Sequence, residues 1–269
     1  MAKIDIAIPG VGGRMGRMLV QTVAADAACR LVAASETVGS EFLNQDAGEV
    51  AGVGPLGVVI QERASSLFGA GRVVIDFTVP QATIAHVQLA RETQTGMVIG
   101  TTGINAQGLA VITEASKDIP IVFAPNFSVG VNLMMKMVAQ VATTLGDGFD
   151  IEIIEAHHRH KVDAPSGTAL GLGRAMAAAK GEDLQTLAVY AREGHTGARK
   201  TGSIGFATVR GGDIVGDHTV LFAGDGERFE VTHKASSRMT FAKGAVKAAC
   251  WLAGKPPKLY DMNDVLGFR

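Results

Sequence analysis

The chain has 269 residues, of which 47% are hydrophobic and 5% aromatic, and its formal net charge is −1 at pH 7. This length allows two domains, and the hydrophobic content allows a substantial core, which excludes a mainly disordered chain. Scarce aromatic side chains and balanced charge argue against nucleic-acid binding. The first ten residues lack a signal-peptide layout, and Lys136 interrupts the most apolar run. We therefore expect a cytoplasmic protein that does not cross or bind a membrane.

The two cysteines, Cys29 and Cys250, both lie in apolar sequence contexts. Free cysteine is among the most buried residue types, and disulfides are rare in cytosolic proteins. We therefore expect two buried thiols rather than a disulfide.

The N-terminal segment predicts a dinucleotide-binding site. A short strand over residues 3–8 is followed by a glycine-rich loop over 10–16 and a helix over 17–24. Backbone N–H groups of such a loop approach a pyrophosphate, and the helix N-terminus adds partial positive charge. The spacing departs from the usual G-x-G-x-x-G, because Met15 stands at the last glycine position and Gly16 follows it. A plain tight turn is therefore the alternative interpretation of the loop alone.

An acidic residue follows the second predicted strand. That strand covers residues 31–34 and ends at Ser35 and Glu36. Glu36 lies 20 residues after Gly16, where an acidic side chain would accept hydrogen bonds from ribose hydroxyls. By itself Glu36 could be a solvated loop carboxylate, but with the glycine loop it favours a cofactor site.

Strands and helices alternate along the rest of the first half. Strands are predicted over 57–60, 73–78, 97–100 and 121–124, helices over 81–93 and 106–117, and an irregular connection over 39–57. This alternation predicts a Rossmann-like α/β fold with a doubly wound parallel sheet, whose ligands bind at the carboxyl ends of the strands. The strand ends carry small and polar residues suited to a nicotinamide ribose and carboxamide: Asp76-Phe77-Thr78, Gly100-Thr101-Thr102 and Ala124-Pro125-Asn126-Phe127. For each of these segments taken alone, an ordinary turn is the alternative interpretation.

The pattern changes near residue 150. A helix over 129–145 comes first, and we expect its three methionines, Met134, Met135 and Met137, to fill a core. A strand over 150–154 and a helix ending near Lys180 follow, and then strands over 187–190, 203–209, 217–223 and 228–233 with glycine-rich turns between them. This order predicts a second domain of the α+β class. The last helix, over 239–253, could pack on either domain.

The segment between the 150–154 strand and the next helix concentrates titratable side chains. Its histidines, His157, His158 and His160, are interleaved with Arg159 and Lys161. Adjacent residues of a strand project to opposite sides, so His157 and His158 would not share a metal, and the positive charge opposes a cation. We therefore expect no metal site here and instead a site for an anionic substrate.

The end of this segment predicts a carboxylate-binding helix start. Pro165 can pre-set the entry to a helix, and Ser166-Gly167-Thr168 would then offer backbone N–H groups and hydroxyls to a carboxylate. A helix cap alone is the alternative for Ser166 or Thr168. We interpret His157 as a positioned proton donor, because histidine titrates near neutral pH and Lys161 is close in sequence. A structural histidine is the alternative.

The sequence resembles the 4-hydroxy-tetrahydrodipicolinate reductases, formerly called dihydrodipicolinate reductases, of bacterial lysine and diaminopimelate biosynthesis. The resemblance covers essentially the whole chain, and its central segment is highly specific whereas the glycine loop alone is not. The matching segments are GVGGRMG at 10–16, GTTG at 100–103, NFSVG at 126–130, EAHHRHKVDAPSGTA at 155–169, REGHTG at 192–197 and HKASSR at 233–238.

The resemblance implies an oxidoreductase that delivers a hydride from NADH or NADPH to C4 of a small cyclic dicarboxylate, with a proton at C3. It implies that His157 and Lys161 are the catalytic acid/base pair. It assigns the substrate carboxylates to His158, Lys161, Ser166, Gly167 and Thr168. It assigns the cofactor to Gly10, Val11, Gly12, Gly13, Arg14, Met15, Glu36, Thr37, Gly100, Thr101, Thr102, Ala124, Pro125, Asn126 and Phe127.

The resemblance also implies how the chain is divided and assembled. A dinucleotide-binding domain would comprise residues 1–127 and 238–269, because the last helix returns to it. A substrate-binding and oligomerisation domain with a mixed sheet would comprise 128–237. The second domains of four copies would assemble into a homotetramer.

One departure from the family pattern concerns the choice of cofactor. The family often has arginine directly after the acidic residue, whereas this chain has Thr37. We therefore expect NADH to be used at least as well as NADPH. Two rival hypotheses are a different Rossmann dehydrogenase, acting on an aldehyde or hydroxy acid, and a cofactor-sensing regulatory protein without turnover. The cluster of histidine, arginine and lysine speaks against the first rival.

Overall fold

The computed structural model describes residues 2–69 and 72–268 and divides into two compact units. Unit 1 comprises Met1–Val129 and Arg238–Arg269, and unit 2 comprises Gly130–Ser237. None of the described helices is long and apolar enough to cross a membrane.

The helices and strands are numbered in chain order. The first part of the chain contains β1 (Ile4–Pro9), α1 (Arg14–Ala25), β2 (Cys29–Ser35), α2 (Ala47–Ala51), β3 (Ile60–Gln61), β4 (Arg72–Asp76), α3 (Pro80–Glu92), β5 (Gly96–Ile99), α4 (Ala106–Ala115) and β6 (Pro120–Phe123). The middle contains α5 (Val129–Leu145), β7 (Asp150–His157), α6 (Gly167–Ala179), α7 (Leu184–Leu187), β8 (Ala188–Val189), β9 (Ile204–Arg210), β10 (Gly216–Ala223) and β11 (Arg228–Ala235). The end contains α8 (Met239–Leu252), β12 (Lys258–Tyr260) and α9 (Met262–Leu266).

Unit 1 is built around a seven-stranded sheet in the order β12-β6-β5-β4-β1-β2-β3, and its paired strands are parallel. Both faces of this sheet are covered. One core cluster joins strand residues to α1 and α8, and another joins them to α3 and α4. The predicted doubly wound α/β fold is therefore confirmed. The sequence pattern did not determine which domain the helix predicted over 239–253 packs on. This helix, α8, packs in the core of unit 1.

Three of the helices and strands named above for unit 1, namely α2, β12 and α9, were absent from the sequence prediction. The expected irregular connection over 39–57 contains the short helix α2, whose N-cap Asp46 accepts hydrogen bonds from the N–H groups of Gly48 and Glu49. The edge strand β12 has three residues, too few to show an alternating pattern.

Unit 2 contains a mixed five-stranded sheet in the order β11-β10-β7-β9-β8. Strand β10 is antiparallel to β7 and β11, whereas β7 and β9 are parallel. One face packs against α5 and α6. The predicted mixed sheet is confirmed, but residues 184–189 form α7 and a two-residue strand instead of the strand predicted over 187–190.

The methionines of α5 do not all enter the core. Met134 is 3% exposed and Met135 packs at the edge of the core, whereas Met137 is 43% exposed. The expectation of core filling was therefore wrong for Met137. Residues 134 and 137 are three apart, which places them on adjacent but different parts of the helix surface.

Candidate active site

Glu155 is the centre of a hydrogen-bonded cluster in unit 2. Its side chain is fully buried on β7. Each carboxylate oxygen accepts a hydrogen bond from one terminal nitrogen of Arg210, at 2.8 Å. The N–H of Ser166 donates to Oε1 at 3.0 Å. Burial alone raises the pKa of this carboxyl, but the hydrogen bonds from Arg210, first, and from His157 and Ser166 outweigh burial and lower the pKa. Glu155 is therefore ionised at neutral pH.

His157 is held directly by this carboxylate. Its Nδ1 lies 2.6 Å from Oε2 of Glu155, and its side chain is 11% exposed. Because an ionised carboxylate only accepts, the hydrogen-bond pattern assigns the proton to Nδ1 and leaves Nε2 for chemistry. Burial lowers the pKa of His157, and the charges of Lys161 and Arg210 lower it further, against the opposing effect of Glu155.

A second buried histidine supports the first turn of α6. His218 packs edge-on against His157 with ring centroids 5.1 Å apart, and its Nε2 lies 3.0 Å from Oγ of Ser166. Burial, together with the charge of His157, lowers the pKa of His218 to about 4. Ser166 Oγ also accepts the N–H of Ala169, so Ser166 is the N-cap of α6. Ser166 therefore caps α6, as the alternative interpretation of this residue predicted.

The loop between β7 and α6 is tied to the same cluster. Lys161 Nζ lies 2.8 Å from a carboxylate oxygen of Asp163, and one terminal nitrogen of Arg210 donates to the Asp163 carbonyl at 2.6 Å. Arg210 therefore links Glu155 to the loop that carries Lys161. This link fixes the loop relative to His157, which lies on the neighbouring strand.

The remaining predicted substrate residues lie around the same loop. His158 directly follows β7, and its N–H donates to the Ile214 carbonyl at 2.7 Å. Gly167 and Thr168 are the first two residues of α6, where Gly167 is exposed and Thr168 half-buried. Pro165 lies at the entry to α6, immediately before its N-cap Ser166. Its cis peptide bond with Ala164 precedes the cap, and the helix begins two residues later at Gly167.

In unit 1 the glycine loop has the close packing that a dinucleotide site requires. Gly10 has φ +67°, a left-handed conformation that favours glycine. A Cβ atom on Gly16 would lie 2.1 Å from the Gly10 carbonyl oxygen. Gly16, one position later than the usual motif, is therefore the glycine that lets α1 pack on the loop. Glu36 accepts the N–H of Gly12 at 2.8 Å.

Two cavities in unit 1 contain most of the predicted cofactor residues. A cavity of about 670 Å³ is lined by Gly10, Gly13, Glu36 and Thr37 together with Pro9, Ser35, Val38, Glu62, Ala64, Phe77, Thr78, Val79, Ala82 and His86. A cavity of about 350 Å³ is lined by Met15, Gly100, Thr101, Thr102, Pro125, Asn126 and Phe127 together with Phe77, Thr78, Arg238 and Phe241. Phe77 and Thr78 line both.

Four predicted cofactor residues line neither cavity. Val11 and Ala124 are buried in the core of unit 1, at 1% and 3% exposure. Gly12 is half-buried and presents its N–H to Glu36, and Arg14 is exposed at the first position of α1. These residues shape the loop and the strand end rather than the cavity walls.

A buried pair that the sequence did not reveal orders the strand ends at these cavities. Asp76, at the end of β4, accepts hydrogen bonds from His86 Nδ1 at 2.8 Å and from the Thr78 N–H and hydroxyl at 2.8 and 2.6 Å. Thr83 bridges Thr78 and Thr101 through hydroxyl contacts. Burial raises the pKa of Asp76, but the hydrogen bonds from His86 and Thr78 outweigh it, so the pKa is lowered. The sequence separation of ten residues between Asp76 and His86 carries no recognisable motif.

Arg210 and His218 were also missed. The sheet register places Arg210 opposite His157 across β9 and β7, and His218 opposite Glu155 across β10 and β7. The alternation of apolar and polar residues along a strand does not show which strand it pairs with. No local signal in the sequence could therefore have placed Arg210 and His218 beside Glu155.

The comparisons with known proteins agree with this geometry. The family model described as dihydrodipicolinate reductase, N-terminus, matches residues 4–127, and the C-terminus model matches residues 130–266. Curated proteins named 4-hydroxy-tetrahydrodipicolinate reductase from Magnetococcus marinus and Thiobacillus denitrificans are each 57% identical over 266 residues, covering 99% of both chains.

Solved structures give the same result. A dipicolinate-bound dihydrodipicolinate reductase from Paenisporosarcina sp. TG-14 superposes with a TM-score of 0.74 at 26% identity, covering 97% of this chain and 98% of that one. An amine dehydrogenase from Mycobacterium smegmatis, with a TM-score of 0.59 at 12% identity, covers 96% and 94% and shows the fold alone. The family predicted from the sequence is confirmed: the chain belongs to the dihydrodipicolinate reductases, nicotinamide-dependent oxidoreductases of lysine and diaminopimelate biosynthesis.

Proposed function

We propose that this reductase adds a hydride at C4 and a proton at C3 of the ring of 4-hydroxy-tetrahydrodipicolinate, with His157 and Lys161 as the proton-transfer pair. The reduced nicotinamide, when bound, supplies the hydride. The C4 hydroxyl leaves together with a hydrogen of a neighbouring ring carbon as water, so one hydride to C4 and one proton to C3 balance the conversion to tetrahydrodipicolinate and water. The chain's own residues must therefore hold a dianion and supply a proton.

The observation that carries this proposal is the Glu155–His157 pair. Glu155 fixes the tautomer and ring orientation of His157, so that Nε2 is the atom available for proton transfer. His157 is neutral at neutral pH because its pKa is lowered. Lys161 supplies the positive charge, and an anionic substrate beside His157 would raise its affinity for a proton.

We assign the two substrate carboxylates to the basic loop and the start of α6. The carboxylate-binding residues in this proposal are His158, Lys161, Ser166, Gly167 and Thr168. The solved relative with bound dipicolinate supports a small cyclic dicarboxylate as the ligand class. Ser166 takes part through its hydroxyl, because its N–H already donates to Glu155.

For the cofactor we propose that NADH is used at least as well as NADPH. The acidic side chains that line the larger cavity are Glu36 and Glu62, and among the described residues no lysine or arginine lines it. Arg17 borders the glycine loop without lining this cavity, because its Nε donates to the Gly12 carbonyl at 3.0 Å and its guanidinium lies over Phe42. A 2′-phosphate would face the carboxylates of Glu36 and Glu62, which disfavours NADPH.

We also propose that four copies assemble through the second face of the unit 2 sheet and that the enzyme works in the cytoplasm. The face opposite Glu155 and His157 contains Ile154 at 40% exposure and Val209 at 49%. Apolar side chains on an open sheet face favour association with another copy. The two free thiols agree with a reducing compartment.

The test of this function is a coupled assay. The synthase that makes 4-hydroxy-tetrahydrodipicolinate supplies the substrate in the cuvette, and loss of reduced nicotinamide is followed by absorbance. We expect oxidation of NADH only when the synthase and its substrates are present. NADH binding without oxidation would support a regulatory protein instead, and oxidation with an aldehyde or hydroxy acid alone would support a different dehydrogenase.

A further inference from the structure

The two cysteines of the chain meet in unit 1 although they are 221 residues apart. Cys29 is the first residue of β2, and Cys250 is in the last turn of α8. Their Sγ atoms are 3.0 Å apart, and both are free thiols. A disulfide bond is about 2.05 Å long, so the sulfur atoms need to approach by only about 1 Å to bond.

The two thiols differ in access to solvent. Cys29 is 2% exposed, whereas Cys250 is partly exposed. Burial raises the pKa of Cys29 well above its ordinary value, and the neighbouring Cys250 and Asp26 raise it further. Cys29 therefore remains protonated and shielded, and Cys250 is the sulfur that a small oxidant can reach first.

A metal ion is the other occupant to consider. Donor atoms of Asp26, Cys29 and Cys250 all lie within 4.8 Å of one another. Tetrahedral zinc with Zn–S distances of about 2.3 Å would hold two sulfur atoms about 3.8 Å apart. The observed 3.0 Å is shorter than this separation, and the Asp26 carboxylate already accepts the Ala28 N–H at 2.9 Å. The geometry favours a bond between the sulfur atoms.

We propose that Cys29 and Cys250 form a reversible intramolecular disulfide when the enzyme meets a hydroperoxide. The Cys250 sulfur first attacks hydrogen peroxide. The O–O bond breaks, one oxygen stays on the sulfur as a sulfenic acid, and the other leaves as water. The Cys29 sulfur then attacks the Cys250 sulfur, the S–S bond forms, the S–O bond breaks, and the second water leaves with the Cys29 proton. Two thiols and one peroxide thus give one disulfide and two waters.

The disulfide would join the two segments of the chain that build unit 1. It links β2, which leads to Glu36 at the cofactor cavity, to α8 near the C-terminus. A link across such a long stretch of chain restricts the unfolded state, so the oxidised protein should unfold at a higher temperature than the reduced one.

The test uses the full-length protein, freed of metal with a chelator and treated with hydrogen peroxide. The protein is then unfolded in denaturant with an alkylating reagent, which blocks every remaining thiol including the buried Cys29, and the intact mass and the non-reduced proteolytic peptides are measured. We expect both alkylation sites to disappear together, the chain mass to fall by two hydrogen atoms, and the Cys29 peptide to be linked to the Cys250 peptide. Dithiothreitol should restore both sites and reverse the rise in unfolding temperature.

Two single variants serve as controls. In Cys250→Ser the buried Cys29 should stay reduced, and in Cys29→Ser the remaining Cys250 should gain oxygen atoms or link to a second chain, because its partner is missing. The proposal is overturned if wild-type Cys250 oxidises to sulfinic acid while Cys29 stays reduced. It is also overturned if the wild-type disulfide joins two chains, or if both thiols survive peroxide that oxidises dithiothreitol.

Discussion

The Nδ1 atom of His157 lies 2.6 Å from Oε2 of Glu155, and both side chains occupy the buried face of strand β7. Residues two apart on a strand point the same way, so the sequence Glu-Ala-His places the carboxylate beside the imidazole without help from another element. Arg210 then holds the carboxylate through both of its oxygens. The imidazole is thus positioned by a carboxylate that is itself fixed.

Glu155→Gln tests this positioning. The amide keeps the shape but loses the charge that raises the pKa of His157, so kcat should fall roughly 10- to 150-fold, the range for a hydrogen bond to a charged group. The pH above which the rate declines should shift to lower values, because His157 then loses its proton more easily. Initial rates across a pH series measure both effects. Glu182→Gln, an exposed change after α6 and off the sheet, is the control. An unchanged pH profile in a folded Glu155→Gln enzyme would refute the role of Glu155.

Thr37→Arg tests the cofactor proposal. Thr37 lines the larger cavity beside Glu36, and an arginine there could pair with a 2′-phosphate. A charge-assisted contact contributes about 1.5–3 kcal/mol, so kcat/KM for NADPH should rise roughly 10-fold or more while that for NADH changes little. Thr37→Gln adds length without charge and should not reproduce the gain. A wild-type kcat/KM more than about tenfold higher for NADPH would overturn the proposal and assign the preference to an arginine of the glycine loop and α1, Arg14 or Arg17, instead of position 37.

His218→Gln tests the effect of the buried histidine on stability in acid. The pKa of His218 is lowered to about 4, so between its ordinary value near 6.5 and about 4 the unfolded chain binds more protons. Stability therefore falls as the pH falls through this window. We expect the unfolding free energy to drop between about pH 7 and about pH 4.5 in both proteins. The drop should be smaller in the variant than in the wild type, by on the order of 2 kcal/mol. Urea unfolding at both pH values measures this, with the exposed His195→Gln as control. Equal losses in all three proteins would contradict it.

Asp46→Ala tests the loop that follows α2. The carboxylate caps α2 and also holds the turn before β3, so its removal should lower the unfolding free energy by about 2–4 kcal/mol. Its oxygens accept the N–H groups of Gly48, Glu49, Leu56, Gly57 and Val58. Thermal and denaturant unfolding are the measurements, and the exposed Glu41→Ala is the control. A loss no larger than that of the control would remove Asp46 from this role.

The sequence predicted the elements whose signal is local. Buried strands such as β4 and β6, the glycine loop before α1 and the 17-residue helix α5 are each recognisable from a continuous stretch. Alternation of strand and helix then determines the parallel sheet. Within the candidate active site, the basic loop after β7 is likewise a single continuous segment.

The contacts that depend on strand register or on long-range packing could not be predicted. Arg210 and His218 reach Glu155 only because β9 and β10 pair with β7 in one particular register. The contact between Cys29 and Cys250 joins the two ends of the chain. Asp76 and His86 meet because α3 packs beside the end of β4.

The most direct test of the proton-transfer pair measures kcat and the Kd of NADH together for wild type, His157→Gln and Lys161→Met. The substrate is generated in the cuvette by the synthase, and NADH binding is measured separately by titration. We predict that kcat falls about 100-fold or more in each variant, the scale of a positioned proton donor, while the Kd of NADH is unchanged. A kcat within about twofold of the wild type in either folded variant would contradict the assignment of that residue.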